Sequence, residues 1–454
     1  MSQSSKPSAN RREFLKTSSA LAAAGAVAGT GLTPSTSRAG YHVFGSDTVR
    51  VGVIGSGGRG SGAMADALNA QSGNVEVTAV GDLFADRPEG ALGGLKERYK
   101  DRIKVTADTT FIGFDAYKKV LETDCQIVIL ATPPGFRPLH FEAAVAAGKG
   151  VFMEKPVAVD APGVQRVLRA SEEAKKNGLP VQVGLQRRHE RAYMETIQRL
   201  KDGIIGDMIA ARVYWNQGFL WVAGRRPEQT ELEYQIRNWL YFNWLSGDHL
   251  VEQHIHNLDV INWLMDDYPV KAEGMGGRQV RTGPQHGEIF DHHAIEYTYA
   301  NGAKMFSQCR QIAGCWNEVA EYVHYTKGYA DISAGRIYDL SGKEIFRSEG
   351  SRGGHGQEHV DMYADLARGL IPNEGEYGAK STMTAILGRM STYSGKSIRW
   401  DDAMKSERKL ANVDAMQSLQ DEAPVKPMEN GEYEIPVPGA GWEKVLDWNP
   451  DKRG

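Results

Sequence analysis

The chain has 454 residues, 41% hydrophobic and 24% charged, enough to bury two cores and ordinary for a globular protein. A formal net charge of −4, with no basic stripe interleaved with aromatics, argues against a nucleic-acid partner. Three cysteines cannot build a disulfide framework: Cys309 and Cys315 are near enough in sequence to pair, which leaves Cys125 alone.

Residues 1–39 read as an export leader. Arg11-Arg12-Glu13-Phe14-Leu15-Lys16 presents a twin-arginine pattern, and the Ala- and Gly-rich run 18–32 is too short and too glycine-rich for a stable membrane span. Ser37-Arg38-Ala39 places small residues at a cleavage position. The expectation is passage through the twin-arginine export machinery to the periplasm or another extracytoplasmic compartment, with residues 40–47 as an arm preceding the folded part.

Residues 49–54 are rich in β-branched side chains and predict a buried strand. The strand runs into Gly55-Ser56-Gly57-Gly58-Arg59-Gly60, a G-x-G-x-x-G loop, and helical periodicity follows over 61–70. In such a loop the first glycine allows the tight turn, the second lets a pyrophosphate approach, and the third lets the helix pack on the strand. The helix N-terminus then presents free N–H groups to the phosphates. A second strand, 75–80, ends at Gly81-Asp82, 22 residues after Gly60. A carboxylate there bonds a ribose 2′-hydroxyl and repels a 2′-phosphate, which favours NAD, although Arg87 leaves NADP open.

The rhythm continues. Strand 124–130 leads to Ala131-Thr132-Pro133-Pro134, and His140 sits on the helix that follows. The apolar run 151–153 ends at Glu154-Lys155-Pro156, 100 positions after Gly55. A lysine at the C-terminal end of a parallel strand points into the crevice where such sheets bind ligands, and the proline favours a cis bond. Strand 181–185 ends at Gln186. Together these elements predict an α/β chain whose first domain, 48–186, is a doubly wound parallel Rossmann sheet.

This layout resembles the Gfo/Idh/MocA oxidoreductases, the family of glucose-fructose oxidoreductase and inositol dehydrogenase. The resemblance rests on Gly55–Gly60, Thr132-Pro133, His140 and Glu154-Lys155-Pro156 and covers roughly residues 48 to 400. It implies a C-terminal α/β domain (187–413) with a large, mostly antiparallel open sheet, substrate between the domains, and a homo-oligomer. It implies cofactor contacts from Gly55, Ser56, Gly57, Gly58, Arg59, Gly60, Asp82, Thr132, Pro133, His140, Glu154, Lys155 and Gln186. The family's Asp-x-x-x-His-x-x-Asp pattern corresponds here to Glu252, His256 and Asp259, with glutamate in place of the first aspartate. Lys155, Glu252, His256 and Asp259 are therefore the candidate catalytic residues. Outside the cytoplasm the cofactor would have to stay bound, and the arm 40–47 is expected to help cover it, by analogy with exported members.

Residues 249–265 have helical periodicity. On one continuous helix Glu252, His256, Asp259 and Trp263 share a stripe, so flanking carboxylates should raise the His256 pKa. His254 falls on the apolar face and reads as a packing histidine. A metal site is not expected: His254 and His256 face different ways on a helix, as do neighbours in Asp291-His292-His293 on a strand.

Five of the nine tryptophans lie within 214–263, interleaved with amides and guanidinium groups. Aromatic faces beside hydrogen-bonding side chains suit a sugar ring. Trp215, Arg237, Trp239 and His256 are the candidate contacts for a carbohydrate or polyol. Asn301-Gly302 separates strands 294–299 and 303–308 as in a hairpin, 318–324 and 328–332 look like further sheet, and 358–370 is helical and can return to the cleft through His355 or His359. The tail 414–454 carries no assigned role. Three functions stay open: an oxidoreductase acting on a sugar or polyol hydroxyl, a glycoside hydrolase that oxidises its substrate transiently with bound NAD, and a non-catalytic sugar-binding protein.

Overall fold

The computed structural model describes residues 48–70 and 74–451. The expected leader and arm, 1–47, lie outside the described residues.

The first half alternates strand and helix: β1 (Thr48–Ile54), α1 (Gly58–Asn69), β2 (Asn74–Asp82), α2 (Asp86–Tyr99), β3 (Thr110–Ile112), α3 (Ala116–Leu121), β4 (Ile127–Leu130), α4 (Arg137–Ala146), β5 (Gly150–Met153), α5 (Ala161–Lys176) and β6 (Val181–Val183). Its six strands are all parallel in the order β3-β2-β1-β4-β5-β6. The order reverses between β1 and β4, the switch point where doubly wound sheets open a crevice. Strands β4 and β5 are buried on both faces, as their unbroken runs without a polar side chain, Ile-Val-Ile-Leu and Gly-Val-Phe-Met, require. Helix α1 starts at Gly58, three residues before the predicted start, because the loop glycines enter the first turn themselves.

The second half contains α6 (Arg191–Lys201), β7 (Met208–Gln217), α7 (Glu231–Arg237), α8 (Asn243–Ser246), α9 (His249–Glu252), α10 (Ile255–Met265), β8 (Lys271–Gly277), β9 (His292–Thr298), β10 (Lys304–Gln311), β11 (Glu318–Tyr325), β12 (Gly328–Asp331), β13 (Arg336–Asp339), β14 (Glu344–Arg347), α11 (Gly354–Ala367), α12 (Gly375–Ser394), β15 (Ile398–Arg399) and α13 (Trp400–Met404). A nine-stranded sheet runs β14-β13-β12-β11-β7-β10-β9-β8-β15, and its pairs are antiparallel except β7 with β10. The hairpin β9–β10 turns at Asn301-Gly302, where Gly302 has φ +86°. Cys309 is buried and Cys315 exposed, and both are free thiols, which corrects the suggested pairing.

The late helices are what bind the halves together. Helix α11 packs on α1 and contributes Met362, Tyr363 and Leu366 to the core beneath β1 and β2. Helix α12 lies against α5 on one side and β8 on the other and is buried along nearly its whole length. One apolar core therefore runs through both sheets, and chain beyond residue 350 completes the first half.

Candidate active site

The glycine loop is built by backbone geometry. Gly55 has φ +91°, and a Cβ there would sit 2.5 Å from the Thr132 nitrogen. A Cβ on Gly60 would collide with the Gly55 carbonyl oxygen, whereas Cβ atoms on Gly57 and Gly58 would meet nothing within 4 Å. Steric need thus explains the first and third motif glycines, and the second faces open space that a ligand can approach. The first N–H groups of α1 have no partner within the helix.

Asp82 is already tied to this loop. Its Oδ2 accepts from the Ser56 backbone N–H at 2.8 Å and from the Ser56 hydroxyl at 3.2 Å, and its Oδ1 accepts from the Phe84 N–H at 3.1 Å. Burial raises the Asp82 carboxyl above its ordinary range, although these bonds and the Arg87 charge favour the anion. The Ser56 N–H is therefore spent on Asp82, and a pyrophosphate is left to the donors that follow it.

Lys155 emerges at the end of β5, and the Lys155–Pro156 bond is cis. Its ammonium donates to the Glu252 carboxylate at 2.7 Å and to the Glu252 carbonyl at 2.5 Å, with both side chains largely buried. Its neighbour Glu154 accepts from Arg59 of the glycine loop at 2.5 Å. The loop, the strand end and the second half thus meet at one place.

The expected acid–histidine–acid stripe does not exist. The run 249–265 breaks at Gln253 and His254 into α9 and α10, so Glu252 and His256 sit on different helices. Glu252 turns to Lys155. Asp259 turns to Arg188, which it holds through two bonds of 2.9 and 2.8 Å, and accepts from Ser381 at 2.7 Å. Asp259 is 1% exposed and holds that ion pair, a structural tie that the sequence pattern alone does not show. The expectation for His256 is likewise reversed. Burial, then the charges of Lys155, Arg187, His355 and Arg59, hold its pKa well below the ordinary imidazole value, so the ring stays neutral. It stacks on Trp215 at 5.9 Å between centroids, and its Nδ1 is buried without a hydrogen-bond partner. His254 bonds the Ser307 hydroxyl at 2.8 Å inside the core, the packing role expected of it.

The candidate substrate residues separate. Trp215 stands beside His256, and its indole N–H is also buried without a partner. Arg237 and Trp239 instead line a cavity of about 830 Å³ shared with Gly57, Asp82 and Thr132. Arg237 lies 3.8 Å over the Phe84 ring and pairs with Asp86 and Glu233. Both wall the cavity that the glycine loop also lines, with Arg237 at the end of α7 reaching Asp86 of the first half. Pro133 and His140 line the same cavity, and His140 Nδ1 lies 3.1 Å from the Thr132 hydroxyl. Burial and the charge of Arg137 push His140 down to about 3, so it too is neutral. Gln186 opens the turn after β6, and its side-chain oxygen is buried without a partner.

Several residues escaped sequence reading. Glu358 of α11 is fully buried beside Glu154 and Arg59, and burial, then the Glu154 charge, raises its pKa well above the ordinary range. His355, one turn earlier, stands 3.8 Å from it at the cleft edge. The predicted helical return of this segment located the element but not the carboxyl pair. Asp248, His249 and His293 bring three ligand-capable atoms within 4.8 Å of one another, in the interior. Asp248 is already saturated there: Oδ2 accepts from Tyr393 at 2.5 Å and Phe290 N–H at 3.1 Å, and Oδ1 lies 2.6 Å from His249 Nδ1 and 3.2 Å from His293 Nε2.

A switch-point crevice with a glycine loop, an acid at the end of β2 and a lysine at the end of β5 defines a dinucleotide-binding α/β protein. The unpartnered polar atoms of Gln186, Trp215 and His256, and the open space over Gly57 and Gly58, suit the group that such a crevice holds. Residues 49–185 match the family described as "Oxidoreductase family, NAD-binding Rossmann fold", and 193–331 match the "GFO/IDH/MocA C-terminal domain". Together these matches span well over half of the chain, which belongs to the GFO/IDH/MocA oxidoreductase family.

Among curated relatives, it is 31% identical to an inositol 2-dehydrogenase of Salmonella typhimurium over 48% of this chain and 55% of that one. It is 29% identical to inositol 2-dehydrogenase 3 of Saccharopolyspora erythraea, over 57% and 65% respectively. The chain thus spans little more than half the length of the first of these. In fold it is similar to the aldose-aldose oxidoreductase of Caulobacter crescentus complexed with glycerol, with a TM-score of 0.61 and 18% identity over 78% of this chain and 99% of the other. It is also similar to a levoglucosan dehydrogenase in complex with NADH and levoglucosan, with a TM-score of 0.60 and 15% identity over the same shares.

Proposed function

We propose that this protein is an exported NAD-dependent oxidoreductase that acts on a hydroxyl of a sugar or polyol and keeps its cofactor bound. The observation that carries the chemistry is the Lys155–Glu252 ion pair beside a neutral, buried His256, at the end of the strand that faces the glycine loop. When bound, NAD supplies a two-electron acceptor for a substrate carbon.

The protein's own residues handle the proton and the charge. His256, neutral and stacked on Trp215, accepts the hydroxyl proton, as a general base must be unprotonated to do. Lys155, fixed by Glu252, places positive charge where the substrate oxygen becomes alkoxide-like. Asp259 and Arg188 lock α10, and so hold the His256 ring in place. The substrate class is supported by relatives named for inositol and levoglucosan and by the Trp215 face next to His256. Export rests on the Arg11-Arg12 pattern. A homo-oligomer is supported by the outer face of the nine-stranded sheet, where Tyr214, Phe306 and Tyr322 share a side and Phe306 is 44% exposed.

The test is mass spectrometry of cofactor released from purified protein, followed by nicotinamide absorbance on addition of a panel of sugars and polyols. Bound NAD that is reduced by at least one substrate supports the reading. Aglycone release from aryl glycosides without net reduction would replace it with a redox-neutral glycosidase, and sugar binding without either signal with a non-catalytic binder.

A further inference from the structure

We propose that the segment 405–433 is a strap that slows release of the dinucleotide, with residues 413–417 forming part of the wall of the cavity that the glycine loop also lines. The inference rests on the NAD reading above.

The cavity is lined by Gly57, Gly58 and Asp82 together with the aromatic rings of Phe84, Phe114 and Trp221. Its volume of about 830 Å³ lies toward the upper end for small-molecule sites. Part of the boundary belongs to Val413, Asp414, Met416 and Gln417, more than 200 residues beyond the first half in sequence. An apolar chamber past the acid at the end of β2 is where the adenosine part of a dinucleotide would lie, since that acid takes the ribose.

The segment is held on both sides of this wall. Before it, the Leu410 N–H donates to Asp160 at 2.9 Å. At the wall, Asp414 takes two bonds from Arg166 of α5, at 2.9 and 3.0 Å. After it, Thr230 donates to the Leu419 carbonyl at 2.6 Å and Gln235 to the Val425 carbonyl at 2.5 Å. Tyr433 then anchors the far end: it is buried, donates to Glu231 at 2.5 Å and meets Phe242 edge-on at 5.0 Å. The strap thus crosses from α5 in the first half to α7 in the second, and its residues 413–417 wall the chamber on the way.

The strengths of these ties are unequal, and that makes a gate. The Asp414 side chain is 41% exposed, so solvent screens and weakens its pair with Arg166. The Tyr433 end is buried within the apolar cluster with Phe242 and Ala423, whereas Val413 and Met416 pack against the same cluster only partly buried. Between Leu410 and Leu419 the strap has only one short helical turn, Val413–Ala415, of its own secondary structure. Residues 413–417 can therefore lift while the downstream anchor stays in place, and release of a bound dinucleotide waits on that motion.

The decisive experiment measures NADH release from the full chain by fluorescence, chasing with excess NAD. Val413→Gly/Asp414→Ala/Met416→Ala, which leaves Leu419, Val425 and Tyr433 untouched, is compared with the unaltered protein, with circular dichroism to check folding. A second variant, Arg166→Gln, loosens the wall without changing the strap's sequence. Release at least tenfold faster in the triple variant, and faster to a lesser degree in Arg166→Gln, is expected. Equal release rates in all three overturn the strap and leave the NAD reading intact. Failure of the unaltered protein to bind NADH overturns both.

Discussion

The glycine loop and the segment 249–265 were equally suggestive as sequence, and they fared differently in three dimensions. In the loop the function is carried by backbone: positive φ at Gly55, contact of Gly60 with the Gly55 carbonyl, and bare space at Gly57. Neighbours in sequence supply most of it, and only the Ala131-Thr132 backbone behind Gly55 comes from elsewhere. In 249–265 the function is carried by side chains, and each finds its partner far away: Glu252 on Lys155, Asp259 on Arg188, His256 on Trp215. A stripe on an ideal helix says little about such a segment, because distant partners with larger interaction energies decide where its charges go and where the helix breaks.

The largest expected effect lies on the side-chain region. Lys155→Ala should lower kcat by about 10²–10⁴ while NADH affinity changes little, since loss of a transition-state donor or proton-handling group costs that much. Steady-state kinetics beside NADH titration check this, and a matching loss of affinity would move Lys155 from the chemistry to cofactor binding.

Next comes the Asp259–Arg188 pair. Arg188→Met leaves a carboxylate buried without its partner and should cost roughly 3–5 kcal/mol in denaturant unfolding. Asp259→Asn/Arg188→Met should recover most of that stability and retain activity per folded molecule. If the double variant is stable but inactive, Asp259 belongs to the chemistry after all, and the contrast between the two regions narrows.

The loop offers a cleaner pair. Gly60→Ala forces a Cβ onto the Gly55 carbonyl and should destabilise by about 1–3 kcal/mol, as overpacking does. Gly57→Ala meets no protein atom and should fold normally, yet weaken NADH binding about tenfold because its methyl occupies ligand space. Unfolding midpoints and NADH titrations separate the two, and similar behaviour of both variants would contradict the steric account.

A smaller effect is expected of His189, which lies outside both regions. Burial opposes its charge, but bonds to Asp361 at 2.9 Å and Glu374 at 3.4 Å outweigh that and push it up to about 9. A folded pKa above the unfolded value of about 6.5 means the contribution is complete below pH 6.5 and disappears as pH rises through 9. His189→Gln should therefore lose on the order of 1–3 kcal/mol relative to the parent at pH 6 and nearly nothing at pH 10. Equal losses at both pH values would show that the ion pairs contribute no stability.

How much was legible follows the same division. The α/β order, the parallel first sheet, the hairpin at Asn301-Gly302 and the strand-end positions of Asp82 and Lys155 could be read because hydrophobic runs and turn glycines act locally. That Arg237 and Trp239 line the same cavity as the glycine loop has no sequence signal, because it depends on Arg237 reaching Asp86 of the first half. Glu358 was invisible because a buried, raised carboxyl on an ordinary helix has no sequence signal until Glu154 and Arg59 are brought beside it. The wall formed by residues 413–417 was missed for a related reason. An irregular Pro- and Gly-rich tail has no periodicity, and its placement comes from single side-chain anchors such as Asp414 and Tyr433.

The central claim is that Lys155 and His256 act on a substrate hydroxyl beside bound NAD. Single-turnover absorbance tests it most directly, with the purified NAD-loaded protein mixed with inositols, aldoses and anhydrosugars. The account predicts growth of the reduced-nicotinamide band with at least one of these substrates, and none with Lys155→Ala at equal NAD occupancy. Equal band growth in Lys155→Ala, or none in the unaltered protein with any substrate, would contradict it.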